Sequence, residues 1–78
     1  MKDVEAFLLL QAEVGSERNI YCRLVDLDEV SSVYELFGEW DIIAKVGVDS
    51  IGALDGFISD TVRNIKGVTL TSTIIISR

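Results

Sequence analysis

Leu36-Phe37-Gly38-Glu39-Trp40-Asp41-Ile42-Ile43-Ala44 occupies the middle of the chain, and its reading organises the rest. On its N-terminal side, residues 30–37 are β-branched and aromatic enough for a strand. On its C-terminal side, Ile42, Ala44, Val46 and Val48 alternate with Ile43, Lys45 and Gly47, the period-two pattern of a second strand over residues 42–48. Gly38-Glu39-Trp40 makes the turn between them. Glycine tolerates the positive φ that a tight loop often needs, so the two strands form a hairpin.

Working outward, residues 4–14 read as a further strand. Ala6-Phe7-Leu8-Leu9-Leu10 is apolar at successive positions, so both of its faces are expected to be covered. Gly15-Ser16 breaks it; Ser16 suits an N-cap and Glu17 the first turn of a helix. Over residues 17–27, Ile20, Leu24 and Leu27 share one helical face, with Arg18, Asn19, Arg23 and Asp26 mostly elsewhere. Beyond the hairpin, Asp49-Ser50 signals a second helix start. Ile51, Leu54, Ile58, Val62 and Ile65 follow at helical spacing, giving a helix over residues 50–65. Gly52 and Gly56 weaken it by about 1 kcal/mol each relative to alanine, and their spacing suits close approach to a neighbour. Gly67, just past Lys66, is a natural stop. Residues 68–77 form the last strand, with Thr69, Thr71 and Thr73 alternating against Leu70 and Ser72 before Ile74-Ile75-Ile76 loads both faces.

The order strand-helix-strand, strand-helix-strand repeats one unit. It predicts an α+β fold of ferredoxin-like βαββαβ topology: a four-stranded antiparallel sheet with two helices on one face. The other face would be open, yet the strands are apolar on both sides at Phe7, Leu8, Leu9, Leu10, Ile74, Ile75 and Ile76. The open face is therefore expected to bury itself against a second subunit, sheet against sheet, in a homodimer.

Composition agrees. A chain of 78 residues has room for one domain, and a fold this small buries only about 60% of its unfolded surface. Its apolar share of 49% and mean hydropathy of +0.37 exceed what one small core needs. Seven basic residues stand against 13 acidic, a net charge of −6, with no Lys/Arg cluster. DNA affinity comes mainly from basic residues, so the balance is strong evidence against direct nucleic-acid binding, while a cationic group on a small ligand remains compatible. With one cysteine, Cys22, no internal disulfide is possible, which fits a reducing cytoplasm. The apolar stretch near the N-terminus is too short to span a bilayer and lacks a cleavage site. There is no histidine for a zinc site or a general base, no nucleophile paired with a base, and no carboxylate pair at a recognisable spacing. An enzyme is not expected, and no cofactor or metal is implied.

The first strand, the bend at Gly15, the Gly38-Glu39-Trp40-Asp41 hairpin, the helix over residues 50–65 and the ending Gly67-Val68-Thr69-Leu70-Thr71-Ser72-Thr73 together resemble the RAM domain (regulation of amino-acid metabolism) of the Lrp/AsnC family. The resemblance covers essentially the whole chain. Full-length members carry an N-terminal helix-turn-helix; here the first strand starts almost at Met1, so the chain looks like the stand-alone RAM proteins. The resemblance implies dimers that associate into octameric or decameric rings, an amino-acid effector bound between dimers near the hairpin turn and the last strand, and indirect action on transcription through assembly with full-length Lrp/AsnC-type regulators. Gly38, Glu39, Trp40, Asp41, Thr71 and Thr73 are the implied ligand-binding residues. In chemical terms, turn N–H groups around Gly38 to Asp41 suit the effector's carboxylate, and Asp41 its ammonium. Thr71 and Thr73 supply hydroxyls and Trp40 a wall. The same residues also have plain roles: a turn glycine, a turn aspartate bonding backbone, an interface tryptophan, ordinary strand threonines and, in Glu39, a solvated loop charge. Phe37 departs from the family pattern, which usually has a small hydroxyl residue there; a large ring is expected to fill or reshape the pocket. A structural oligomerisation partner without ligand is the main alternative, and a small dimeric ferredoxin-like enzyme, supported by fold analogy alone, a more distant one.

Overall fold

The computed structural model describes residues 3–77. Four strands, β1 (Val4–Ala12), β2 (Val30–Glu35), β3 (Ile42–Val48) and β4 (Val68–Ile76), and two α-helices, α1 (Glu17–Val25) and α2 (Ile51–Phe57), follow in the order β1-α1-β2-β3-α2-β4. The sheet is antiparallel throughout, with spatial order β2-β3-β1-β4. This is the ferredoxin-like arrangement expected from the sequence.

The pairing register explains the two faces. Leu8 lies between Ala44 and Thr73, and Leu10 between Ile42 and Thr71. Directly opposed side chains point to the same side of a sheet. Ala6, Leu8, Leu10, Ile42, Ala44, Val46 and Val48 therefore share one face. They form a single buried core with Ile20 and Leu24 of α1 and Leu54 and Phe57 of α2, so both helices cover that face. The opposite face carries Phe7, Leu9, Ile43, Tyr34, Leu70 and Ile74, with Lys45 and Glu5 paired at 3.7 Å among them. Tyr34, Leu70 and Ile74 are exposed.

Several elements differ from the sequence reading. β1 stops at Ala12 rather than residue 14, and Val14 is fully exposed in the bend. β2 stops at Glu35 rather than residue 37. α1 ends at Val25; Leu27 lies beyond it but still packs on the core, its N–H donating to the Leu24 carbonyl at 3.1 Å. Ser16 is the N-cap of α1 without capping through its side chain, whereas Ser50 caps α2 by accepting the Ala53 N–H at 3.0 Å.

The largest departure is in the second helix. It does not run regularly over residues 50–65: after α2, residues Ile58–Val62 form a π-helical turn, closed by the Arg63 N–H donating to the Ile58 carbonyl at 2.9 Å. Its physical reason is the core. The buried positions are Leu54, Phe57, Val62 and Ile65, and a wider turn accommodates the five-residue step from Phe57 to Val62 on one face. Ile51 is left exposed and Ile58 only half-buried. Neither helix glycine meets a close neighbour among the described residues: a Cβ on Gly56 would meet nothing within 4 Å, and one on Gly52 only the Ser50 hydroxyl at 3.9 Å.

Gly67 ends this segment as expected, at φ +99°, and is buried against the start of α1. A Cβ there would lie 2.6 Å from the Ser16 hydroxyl oxygen. The Gly67 carbonyl accepts the Glu13 N–H at 2.8 Å, which ties the end of β1 to the start of β4.

Candidate functional site

The β2–β3 connection, residues 36–41, is closed by the Leu36 N–H donating to the Asp41 carbonyl at 2.8 Å. Gly38 sits within it at φ +138°, a conformation L side chains rarely adopt. Asp41 fastens the loop to the neighbouring strand twice. Its N–H donates to the Leu10 carbonyl at 2.9 Å, and its Oδ2 accepts the Ala12 N–H at 2.7 Å. The second bond satisfies a donor where the β1–β4 register shifts, between Gln11 and Ala12. Asp41 thus bonds backbone as turn aspartates do, on the adjacent strand rather than within its own hairpin. That leaves Oδ1 for other partners and removes the Asp41 N–H from the donors available to a ligand.

A solvent-open cavity of about 510 Å³ lies between this loop and the start of α1. Gly38 and Asp41 line it, together with Gly15, Glu17, Arg18, Glu35, Leu36 and Phe37. Phe37 is fully exposed, so its ring stands at the rim instead of filling the space. The Glu17 carboxylate accepts the Gly15 N–H at 2.9 Å, which shapes the bend. Arg18 and Glu35 face each other across the cavity at 4.0 Å, and the Arg18 guanidinium lies over the Tyr21 ring, 5.7 Å from its centre.

The other expected site residues lie outside this cavity. Trp40 is half-buried and Glu39 exposed, the Glu39 carbonyl accepting from the Gln11 Nε2 at 2.9 Å. Thr71 lines a smaller hollow of about 270 Å³ with Arg63, Val68, Thr69 and Leu70. It is two strands from Ile42, about 10 Å away at the usual strand spacing. Thr73, half-buried opposite Leu8, lines neither hollow. Within one chain, then, Gly38 and Asp41 come together, while Glu39, Trp40, Thr71 and Thr73 do not join them. Sequence reasoning missed Arg18 and Glu35, the former because it appeared as an outward-facing helix charge. Glu35 adjoins the loop in sequence, and only the fold, which sets the start of α1 beside the end of β2, brings Arg18 to it. Cys22 is exposed on α1 and lines neither hollow. Among the described residues, no helix is long and apolar enough to cross a membrane.

The Lrp/AsnC ligand binding domain model matches residues 5–78. The HTH-type transcriptional regulator FL11 of Pyrococcus furiosus is 31% identical over 74 residues, covering 95% of this chain and 48% of its own length. The chain thus spans about half the length of the curated relatives it matches. Among solved structures it is similar to FFRP-DM1, with a TM-score of 0.90 and 37% identity over 94% of this chain and 97% of that one. It is also similar to E. coli AsnC, with a TM-score of 0.92 and 27% identity over 99% of this chain and 52% of that one. A likeness in fold alone, TM-score 0.88 at 20% identity over 97% of this chain and 51% of that one, extends to a Neisseria meningitidis transcriptional regulator solved as an L-Met complex. FL11 and the Neisseria meningitidis protein are transcriptional regulators, not enzymes. The fold, the Gly38–Asp41 loop and the match across nearly all of the sequence lead to one conclusion: this chain belongs to the Lrp/AsnC ligand-binding domain family.

Proposed function

We propose that this domain senses a small amino acid and passes the signal to transcription through subunit assembly. The observation that carries this reading is the cavity between the loop containing Gly38 and Asp41 and the start of α1. Family membership and the L-Met complex of a fold neighbour support an amino acid as its occupant. Gly38 and Asp41 contact the effector from one subunit, and Glu39, Trp40, Thr71 and Thr73 contribute from a neighbouring one.

The apolar open sheet face supports the assembly half of the reading. Phe7, Leu9, Ile43, Tyr34, Leu70 and Ile74 form a contiguous surface of the kind that marks a protein–protein contact. A second copy, sheet against sheet, covers it. Such dimers associate into a ring of eight or ten subunits and meet full-length regulators of the same family in the cytoplasm.

A thermal-shift screen of the purified protein against the twenty amino acids, with mass by light scattering on the hits, tests this. A ligand that binds only the native state raises the melting temperature. A selective rise with a change in mass is expected; a stable oligomer indifferent to every amino acid would refute sensing and leave a structural partner.

A further inference from the structure

We infer that Arg18 and Glu35 are the polar anchors of the cavity: the guanidinium takes the carboxylate of an α-amino acid, and Glu35 its ammonium. The inference rests on the amino-acid reading above and deepens it, since neither residue belongs to the loop on which the family resemblance stands.

Among the described residues, Arg18 is the one basic side chain lining the cavity. Its guanidinium carbon lies 5.7 Å from the centre of the Tyr21 ring, a cation–π contact that holds the charge beside the cavity. Its ion pair with Glu35 is 4.0 Å long, beyond hydrogen-bonding distance, so this contact does not use the guanidinium donors up. A planar fork of donors is the geometry that recognises a carboxylate with two parallel bonds.

The acceptors divide the other way. One oxygen of Glu17 accepts the Gly15 N–H, at the bend, and one oxygen of Asp41 accepts the Ala12 N–H. The Glu35 carboxylate is held by no such short bond to Arg18, and Asp41 keeps its Oδ1. An ammonium placed between Glu35 and the Asp41 Oδ1 sits next to a carboxylate on Arg18, which is the separation of charge an α-amino acid carries. Three carboxylates against one guanidinium also leave the cavity acidic, so it rejects a ligand with a second carboxylate.

The two side chains are 77% and 43% exposed, so conservative substitutions there leave the fold intact. The test is calorimetric titration of each of the twenty L-amino acids into the wild type, Arg18→Gln, Arg18→Lys and Glu35→Gln, with the ligand-free melting temperature as a control on folding. The wild type is expected to bind a non-acidic amino acid and not aspartate or glutamate. Arg18→Gln weakens that binding by about tenfold or more, the loss typical of one charged hydrogen-bonding partner, and Arg18→Lys recovers part of it. The amine that lacks the ligand's carboxylate binds the wild type and Arg18→Gln equally weakly. Equal affinity in the wild type and Arg18→Gln, or preference for an acidic amino acid, overturns these anchors while leaving sensing intact. No binding of any amino acid to the wild type overturns both.

Discussion

Replacing Asp41 by alanine separates its structural role from the ligand-binding role proposed for it. In the free protein its Oδ2 accepts the Ala12 N–H at 2.7 Å, a short, charge-assisted, half-buried bond at the point where the sheet register shifts. A hydrogen bond to a charged group contributes about 1.5–3 kcal/mol, and the low end applies here because water can reach the vacated donor. We expect Asp41→Ala to cost about 1.5 kcal/mol before any ligand is added. A domain of 78 residues has an unfolding entropy of roughly 160 cal/mol/K, so the melting temperature falls by about 9 °C at matched protein concentration. Asp41→Asn keeps an acceptor and loses less than about half of that. The assay is urea denaturation of all three proteins, with amide exchange at Ala12 as a local probe. An Asp41→Ala protein within about 0.3 kcal/mol of the wild type, or an unchanged Ala12 exchange rate, would refute the structural role. For the same reason, a ligand response lost in Asp41→Ala is interpretable only beside its ligand-free stability.

Gly67→Ala places a Cβ against Ser16 at positive φ, and should destabilise by about 2–3 kcal/mol in urea unfolding; a loss under about 0.5 kcal/mol would contradict the close packing. Gly56→Ala meets open space, so helix propensity should stabilise the protein by up to about 1 kcal/mol; a loss of stability instead would mean that another subunit packs on that position. Leu9→Glu puts a charge at the centre of the open sheet face and should convert dimers to monomers by light scattering, an idea abandoned if the mass is unchanged. Leu24→Ala, in the core, should cost about 2–5 kcal/mol, and a smaller loss in denaturant would show that α1 packs more loosely than its burial implies.

Local pattern was enough for the sheet. Ile42, Ala44, Val46 and Val48 alternate so regularly that both their strand and their buried face could be read directly. It was not enough where packing overrides period. Ile51 and Ile58 sit at helical spacing with Leu54, yet the core takes Phe57 and Val62, and the helix widens to present them. The loop was legible in part: Gly38 has the positive φ expected of a turn glycine. The bond from Ala12 to Asp41 spans 29 residues and leaves no trace in spacing. Arg18 was equally hidden, because a charge on the outer face of an amphipathic helix has no distinguishing pattern until β2 is placed beside it.

The first strand in the chain is an inner strand of the sheet, and its outer neighbour is the last. Glu5 pairs with Ile76, and Leu10 with both Ile42 and Thr71. The hairpin of β2 and β3 can zip early because its partners are near in sequence, but β1 must wait for closure of a long loop and β4 for nearly the whole chain. On a ribosome the sheet therefore cannot be completed until the final strand emerges. Loss of β4 would turn the inner strand β1 into an open edge.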